Sequence, residues 1–309
     1  MSEIIRVETI SQMTQTMGLE EPKHPLVYVV DMKDFNNHQD FKKELPTEAM
    51  FAMGFYSVFM KDGDCALQYG RNRYDFDEGM LSFIALGQVI GGAAEQQESE
   101  VRYGWGLFFH PDLIRKSELG KKIDEYNFFS YDVHEALHLS KKEEDILNDC
   151  IRKIEFELEQ NIDGHSQKLL ISNIELLLNY CNRFYERQFH TRSDHHKDFV
   201  TQVEHEIKAY FDENKQVDLG LPSTKYLADK VNLSANYLGD LLKKETGKNT
   251  KEHINDYVIH KAKNILLNTE ASVSEIAYDL GFNYPHYFSR MFKQKTGLTP
   301  LKYRDQNLN

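Results

Sequence analysis

Residues 134–138, HEALH, match the pattern H-E-x-x-H. The chemistry of that pattern is zinc-dependent hydrolysis. Two imidazoles on one helical face hold the ion, the Glu between them acts as base, and a third ligand completes the set. Here the pattern lacks its frame. Ser140 and Glu143 fit a capping box, so a helix begins only after His138. The extended motif fails as well, because its Gly and His positions hold Lys141 and Glu144, leaving Glu155 or Glu157 as distant third ligands. A zinc-dependent hydrolase using His134, Glu135 and His138 is therefore carried only as an alternative from another class, and no catalytic residue is assigned. His24, His38 and His110 lie far apart in sequence, GGAAEQQ (91–97) has too little Gly pattern for a phosphate loop, and no Ser sits in G-x-S-x-G. Neither a metal nor a cofactor is expected.

A second set of residues points to nucleic acid. YLADKVNLSANYLGDLLKKETG (226–247) repeats in EIAYDLGFNYPHYFSRMFKQKTG (275–297). Ala228 matches Ala277, Leu233 matches Phe282, Tyr237 matches Tyr287, Leu238 matches Phe288, Lys243 matches Lys293, and Thr246-Gly247 matches Thr296-Gly297. Each copy reads as helix, tight turn, helix, and the second helix of each would be offered to DNA. Side chains near its N-terminus reach base edges in the major groove, and basic residues further along meet phosphates. The candidates are Ser234, Asn236, Tyr237, Asp240, Lys243 and Lys244 in the first copy. In the second they are Asn283, Tyr284, His286, Tyr287, Ser289, Arg290 and Lys293.

The elements that must place these residues are marked in the sequence. A small Ala lets the paired helices approach. Gly281 supplies the positive-φ turn of the second copy, and Asn232, the next most tolerant residue type, supplies it in the first. Ser234 and Asn283 read as N-caps of the second helices, and Ser272 with Glu275 as a capping box. Pro300 follows Thr299 at the start of a final short helix. A connecting helix over roughly 251–267 spans about 25 Å at about 1.5 Å per residue. That suits two helices in successive major grooves, about 34 Å apart along B-DNA.

The rest of the chain differs in charge and pattern. Of 309 residues, 195–309 hold 16 Lys and Arg against 15 Asp and Glu, whereas the remainder holds 21 against 34. The formal net charge of −12 thus sits at one end, and its distribution speaks to the partner. No apolar run reaches the ~18 residues of a membrane span, the N-terminus reads as no secretory signal, and Cys65, Cys150 and Cys181 show no C-x-x-C spacing. A reduced, cytoplasmic protein is expected. Residues 26–110 carry short aromatic or branched runs, LVYVV, FYSVFM, CALQY, LSFIAL and YGWGLFF, separated by Gly and Asp turns, which predicts a small barrel or sandwich. Tyr28, Phe55, Tyr69, Phe83 and Trp105 are the candidate lining of an effector pocket there; core packing explains each equally well. From Ser140 the period is helical. Leu147, Ile151, Ile154 and Leu158, then Leu170, Ile174, Leu177, Cys181 and Phe184, form the seam of a helical hairpin. Leu169, Ile171, Leu176 and Leu178 add further apolar faces, which suggests a dimer surface. The polar stretch HTRSDHHKD (190–198) reads as a linker.

EIAYDLGF, YFSRMFKQKTGLTP and Tyr303-Arg304 closely match the C-terminal signature of the AraC/XylS family of bacterial transcription regulators, and the final ~90 residues resemble its DNA-binding domain. The resemblance implies two helix-turn-helix units joined by a long helix, preceded by a sensing or dimerisation domain that is often a cupin-like barrel followed by helices. The expected class is α+β: a cupin-like sensing domain at 1–139, a helical dimerisation hairpin at 140–192, and an all-α DNA-binding domain with two helix-turn-helix motifs at 193–309. The implied partners are promoter or operator duplex DNA, a second copy of the chain, RNA polymerase and a small-molecule effector, with control by a protein partner as the alternative. The chain departs from the family at two places. Many members carry Ser-Arg where Gly239-Asp240 stands, so the first reading helix is the less basic one, and many carry an Arg in the connecting helix where Val258 stands.

Overall fold

The computed structural model describes residues 4–37, 50–61, 79–91, 103–132, 135–191 and 193–308. Two compact units divide the chain at His190 and Thr191.

In the first unit the strands are β1 (Ile4–Val7), β2 (Val27–Asp31), β3 (Met50–Met53), β4 (Tyr56–Lys61), β5 (Met80–Ile84), β6 (Val89–Gly91), β7 (Gly104–Phe109) and β8 (Leu137–His138). Short helices α1 (Ile10–Thr16), α2 (Met32–Asn37), α3 (Pro111–Ile114) and α4 (Glu118–Lys122) lie between them. Among the described residues the strands form two open sheets, β1-β3-β6 and the antiparallel β2-β7-β4-β5-β8, so the expected cupin-like closure is not seen. Alternating short runs specify strands; which edges pair is decided by distant residues, and the pattern cannot read that. Val7, Phe51 and Met53 from the small sheet bury against Val30 and Phe108 of the large one. The expected strand CALQY lies outside the described residues.

The other face of the large sheet meets the hairpin helices, α5 (Lys141–Leu158) and α6 (Ser166–Thr191). Trp105 Nε1 donates to Asn148 Oδ1 of α5 at 2.9 Å, and Phe83 packs at a tilt against Phe128 and Tyr185. The Ser140 capping box forms as its sequence predicts. The predicted seam residues from Leu147 to Ile154 and from Leu170 to Phe184 are buried within the chain, and Leu178 joins them rather than facing outward. Leu169 and Leu176 stay exposed. Within HEALH, Leu137-His138 forms β8, paired with β5, so His138 stands on a strand and not on a helical face.

The second unit is all helical: α7 (Ser193–Asp212), α8 (Lys215–Leu219), α9 (Thr224–Lys230), α10 (Ala235–Thr246), α11 (Thr250–Asn268), α12 (Val273–Asp279), α13 (Pro285–Thr296) and α14 (Pro300–Leu308). The predicted linker 190–198 is helical on both sides, because α6 continues to Thr191 and α7 starts at Ser193. The stretch is polar, but it contains no Pro or Gly to stop a helix. One core runs through the unit from Val203 and Ile207 to Phe288 and Phe292. Val258, at the position where many members of the resembled family carry Arg, is fully buried in it.

Candidate nucleic-acid interface

The two copies of the repeat fold alike. Ala228 and Ala277 are fully buried where the paired helices cross. Asn232 turns the chain at φ 55° and Gly281 at φ 89°. The next amide closes each turn in the same way: Leu233 N donates to Ala228 O at 3.0 Å, and Phe282 N to Ala277 O at 2.9 Å. At Gly281 an added Cβ would lie 2.8 Å from Gln216 O of α8, so this turn needs Gly for space as well as for φ. Both reading helices end at a left-handed Gly, Gly247 or Gly297, whose N–H donates to the carbonyl of Lys243 or Lys293.

The N-termini differ. Ser234 caps α10, accepting from Tyr237 N. Asn283 is not the cap of α13. Tyr284 is, with extended backbone at φ −135° and ψ 114°, and Pro285 takes the first helical position. The pyrrolidine ring drives the residue before it out of the helical region, so Pro fixes the boundary by itself.

The side chains differ as well. Tyr237 is 6% exposed and packed inside, whereas its counterpart Tyr287 is 55% exposed. Tyr284, His286 and Tyr287 form one exposed aromatic group, with His286 and Tyr287 ring centroids 4.3 Å apart. Arg290 and Lys293 are exposed further along α13, and Ser289 is half-buried between them and Phe288. In the first copy Asn236, Lys243 and Lys244 are exposed, while Ser234 and Asp240 are half-buried. Two helix starts thus carry the candidates. The second presents rings and a guanidinium; the first presents an amide and two ammonium groups at its far end.

Several residues that hold this arrangement were not legible as such. Arg304 donates through Nε to Leu266 O at 2.9 Å and through Nη2 to Ala271 O at 2.6 Å, closing the end of the connecting helix α11. Tyr303 packs edge-on to Phe292 of α13. The paired signature residues therefore brace the second unit from behind. His253 Nε2 lies 2.8 Å from Thr246 Oγ1, and burial pushes its imidazole below the usual value. Tyr278 of α12 is exposed beside the aromatic group in sequence and carried no spacing signal.

The candidate effector-pocket residues do not come together. Register through β4 and alternation along the strands place Phe83 of β5 and Trp105 of β7 on the large-sheet face toward the hairpin. Tyr28 and Phe55 pack with Phe108 on the opposite face, and Tyr69 lies outside the described residues. All four described positions are packing positions, three of them buried. Glu135 is buried, and its carboxylate accepts from its own loop at Asp132 N. His134 lies outside the described residues, and among those described no three His, Cys, Asp or Glu side chains group as a metal set. No described helix is long and apolar enough to cross a membrane.

A family model described as a helix-turn-helix domain matches residues 227–306. YesN of Bacillus subtilis (strain 168), an uncharacterized transcriptional regulatory protein, is 40% identical over 92 residues, which cover 28% of this chain and 25% of YesN. YijO of Escherichia coli (strain K12), an uncharacterized HTH-type transcriptional regulator, is 25% identical over 194 residues, covering 63% of this chain and 65% of YijO. The chain thus spans a quarter of the first relative's length and just under two thirds of the second's. The solved C-terminal domain of AraT, a response regulator from Geobacillus stearothermophilus, is 31% identical and covers 35% of this chain and 84% of that one, with a TM-score of 0.31.

Proposed function

Because this chain belongs to the AraC/XylS family of helix-turn-helix transcription regulators, we propose that it binds specific duplex sequences at promoters or operators and so regulates transcription. The observation that carries this reading is the pair of matched helix-turn-helix units, with exposed Tyr284, His286, Tyr287, Arg290 and Lys293 along α13. The rings and the guanidinium offer apolar and bidentate contacts to base edges, and Lys293, Lys243 and Lys244 offer phosphate contacts. The connecting helix α11 has 19 residues, about 28 Å at about 1.5 Å per residue, which suits helices seated in successive major grooves.

In the same proposal residues 1–139 are a cupin-like sensing domain, and 140–192 a dimerising hairpin. Residues 193–309 are the DNA-binding domain, RNA polymerase is a partner, and the chain works in the cytoplasm. Two controlling agents compete. A small-molecule effector is the first; control by a protein partner is the second. The second gains support from the packing of Tyr28, Phe55, Phe83 and Trp105 on two opposed faces of a sheet rather than around one space.

The test is selection of duplexes from a random pool by the full chain, followed by a salt titration of the selected sequence. Log affinity should fall linearly with log salt, with a slope of about −0.9 per phosphate neutralised, and an unrelated duplex should bind much more weakly. No enrichment, or a salt-independent affinity, removes the proposal.

A further inference from the structure

Both carboxylate oxygens of Asp256, on the connecting helix α11, are engaged by lysines from different places. Lys248 Nζ donates to Oδ2 at 2.8 Å, and Lys295 Nζ donates to Oδ1 at 2.8 Å. Lys248 lies in the joint just past Gly247, where α10 ends and α11 has not begun. Lys295 stands in the last turn of α13. One carboxylate therefore ties the C-terminal ends of both candidate reading helices to the helix that separates them. The partners are 8 and 39 residues away in sequence, so the second tie is a long-range one. Burial pushes the Asp256 carboxyl up, but the two ammonium groups outweigh it and hold the group below the ordinary carboxylate range. Asp256 and Lys295 are about one-third exposed and Lys248 about half exposed, so the stabilisation comes from the three groups acting as a network, which counts for more than an isolated surface pair.

The carboxylate stands among the lysines at the C-terminal ends of both helices and engages one from each side of α11 in sequence. We propose that Asp256 is a positioning residue: it fixes the separation of α10 and α13 and thereby sets the half-site spacing that the protein accepts. The inference rests on the DNA-reading function proposed above.

Two measurements on the full chain test it. In the first, nitroxide labels at Lys244 and Gln294, in a chain whose native cysteines are replaced by Ala, report the separation of the two helices without DNA. Asp256→Asn should broaden a narrow distance distribution, and Lys295→Gln should broaden it to the same extent. An unchanged distribution in both variants overturns the clamp, whatever the protein binds. In the second, the selected duplex is remade with one or two base pairs added or removed between its half-sites. Asp256→Asn should lose about tenfold affinity at the preferred spacing, about 1.4 kcal/mol, and lose less at the others, so that the spacing profile flattens. Adding Lys295→Gln to Asp256→Asn should cost nothing more. Affinity raised equally at every spacing would mean that Asp256 acts only through its charge, and would also overturn the proposal. Failure of the unaltered chain to bind any duplex would remove the DNA-reading function, while the label distances would still decide the clamp.

Discussion

Tyr237 and Tyr287 hold the same place in two copies of one repeat, yet one is core and the other is surface. The repeat made their equivalence legible. It could not show burial, because burial depends on a third element: α7 packs on α10, and α13 instead packs with α12 and α14. The two residues should separate stability from binding. Tyr237→Ala should lower unfolding free energy by about 3–5 kcal/mol, as truncation of a buried aromatic does. Tyr287→Ala should leave stability within about 0.5 kcal/mol while weakening specific DNA binding by about tenfold, the scale of one base contact. Urea titration and binding to the selected duplex, run on both variants, check this. A Tyr237→Ala protein that is as stable as the parent but no longer binds would make the first unit the principal reader. Arg304 and Asp256 were illegible for another reason. Arg304 meets backbone carbonyls 38 and 33 residues away, and Asp256 meets lysines 8 and 39 residues away; no spacing encodes either set.

At the scale of elements, helices were read well where period and cap agree. The Ser140, Ser234 and Ser272 starts and the Asn232 and Gly281 turns stand where the sequence puts them. Asn283 failed as a cap because the Pro two residues on outranks it. Among the described residues the strands form two open sheets, and the expected closure is not seen; pairing between sheet edges is non-local, so the strand pattern does not specify it. The helix α6 shows both outcomes. Its period gives the seam, but a helix apolar on several faces does not say which face stays free. The structure does: Leu169 and Leu176 are exposed, and Phe156 and Leu169 line a groove of ≈ 530 Å³ between α5 and α6. The seam residues Leu177 and Cys181 are fully buried in the chain's own core and cannot meet a second copy. If the hairpin dimerises, Leu169 and Leu176 are the contact. Leu169→Glu with Leu176→Glu should then halve the mass seen by sedimentation while the thermal unfolding of the unit persists, since an unpaired carboxylate is costly only where it is buried. An unchanged mass places the interface elsewhere.

At the scale of the whole molecule, the acidity lies in the first 194 residues, and the helical unit carries the basic patch. The field therefore favours duplex DNA approaching one end of the chain. That division was legible from composition alone. The packing that fixes the two helices against α11 was not, because it lies in buried Ala228, Ala277 and Val258 and in the tie from Lys295 to Asp256. The central claim is that α10 and α13 read one duplex together. Hydroxyl-radical and methylation footprinting of the full chain on its selected duplex tests it most directly. Two protected major-groove segments should appear on one face, about 10 base pairs apart, the spacing of one helical turn. Protection of a single segment, or of none at low salt, would contradict the account.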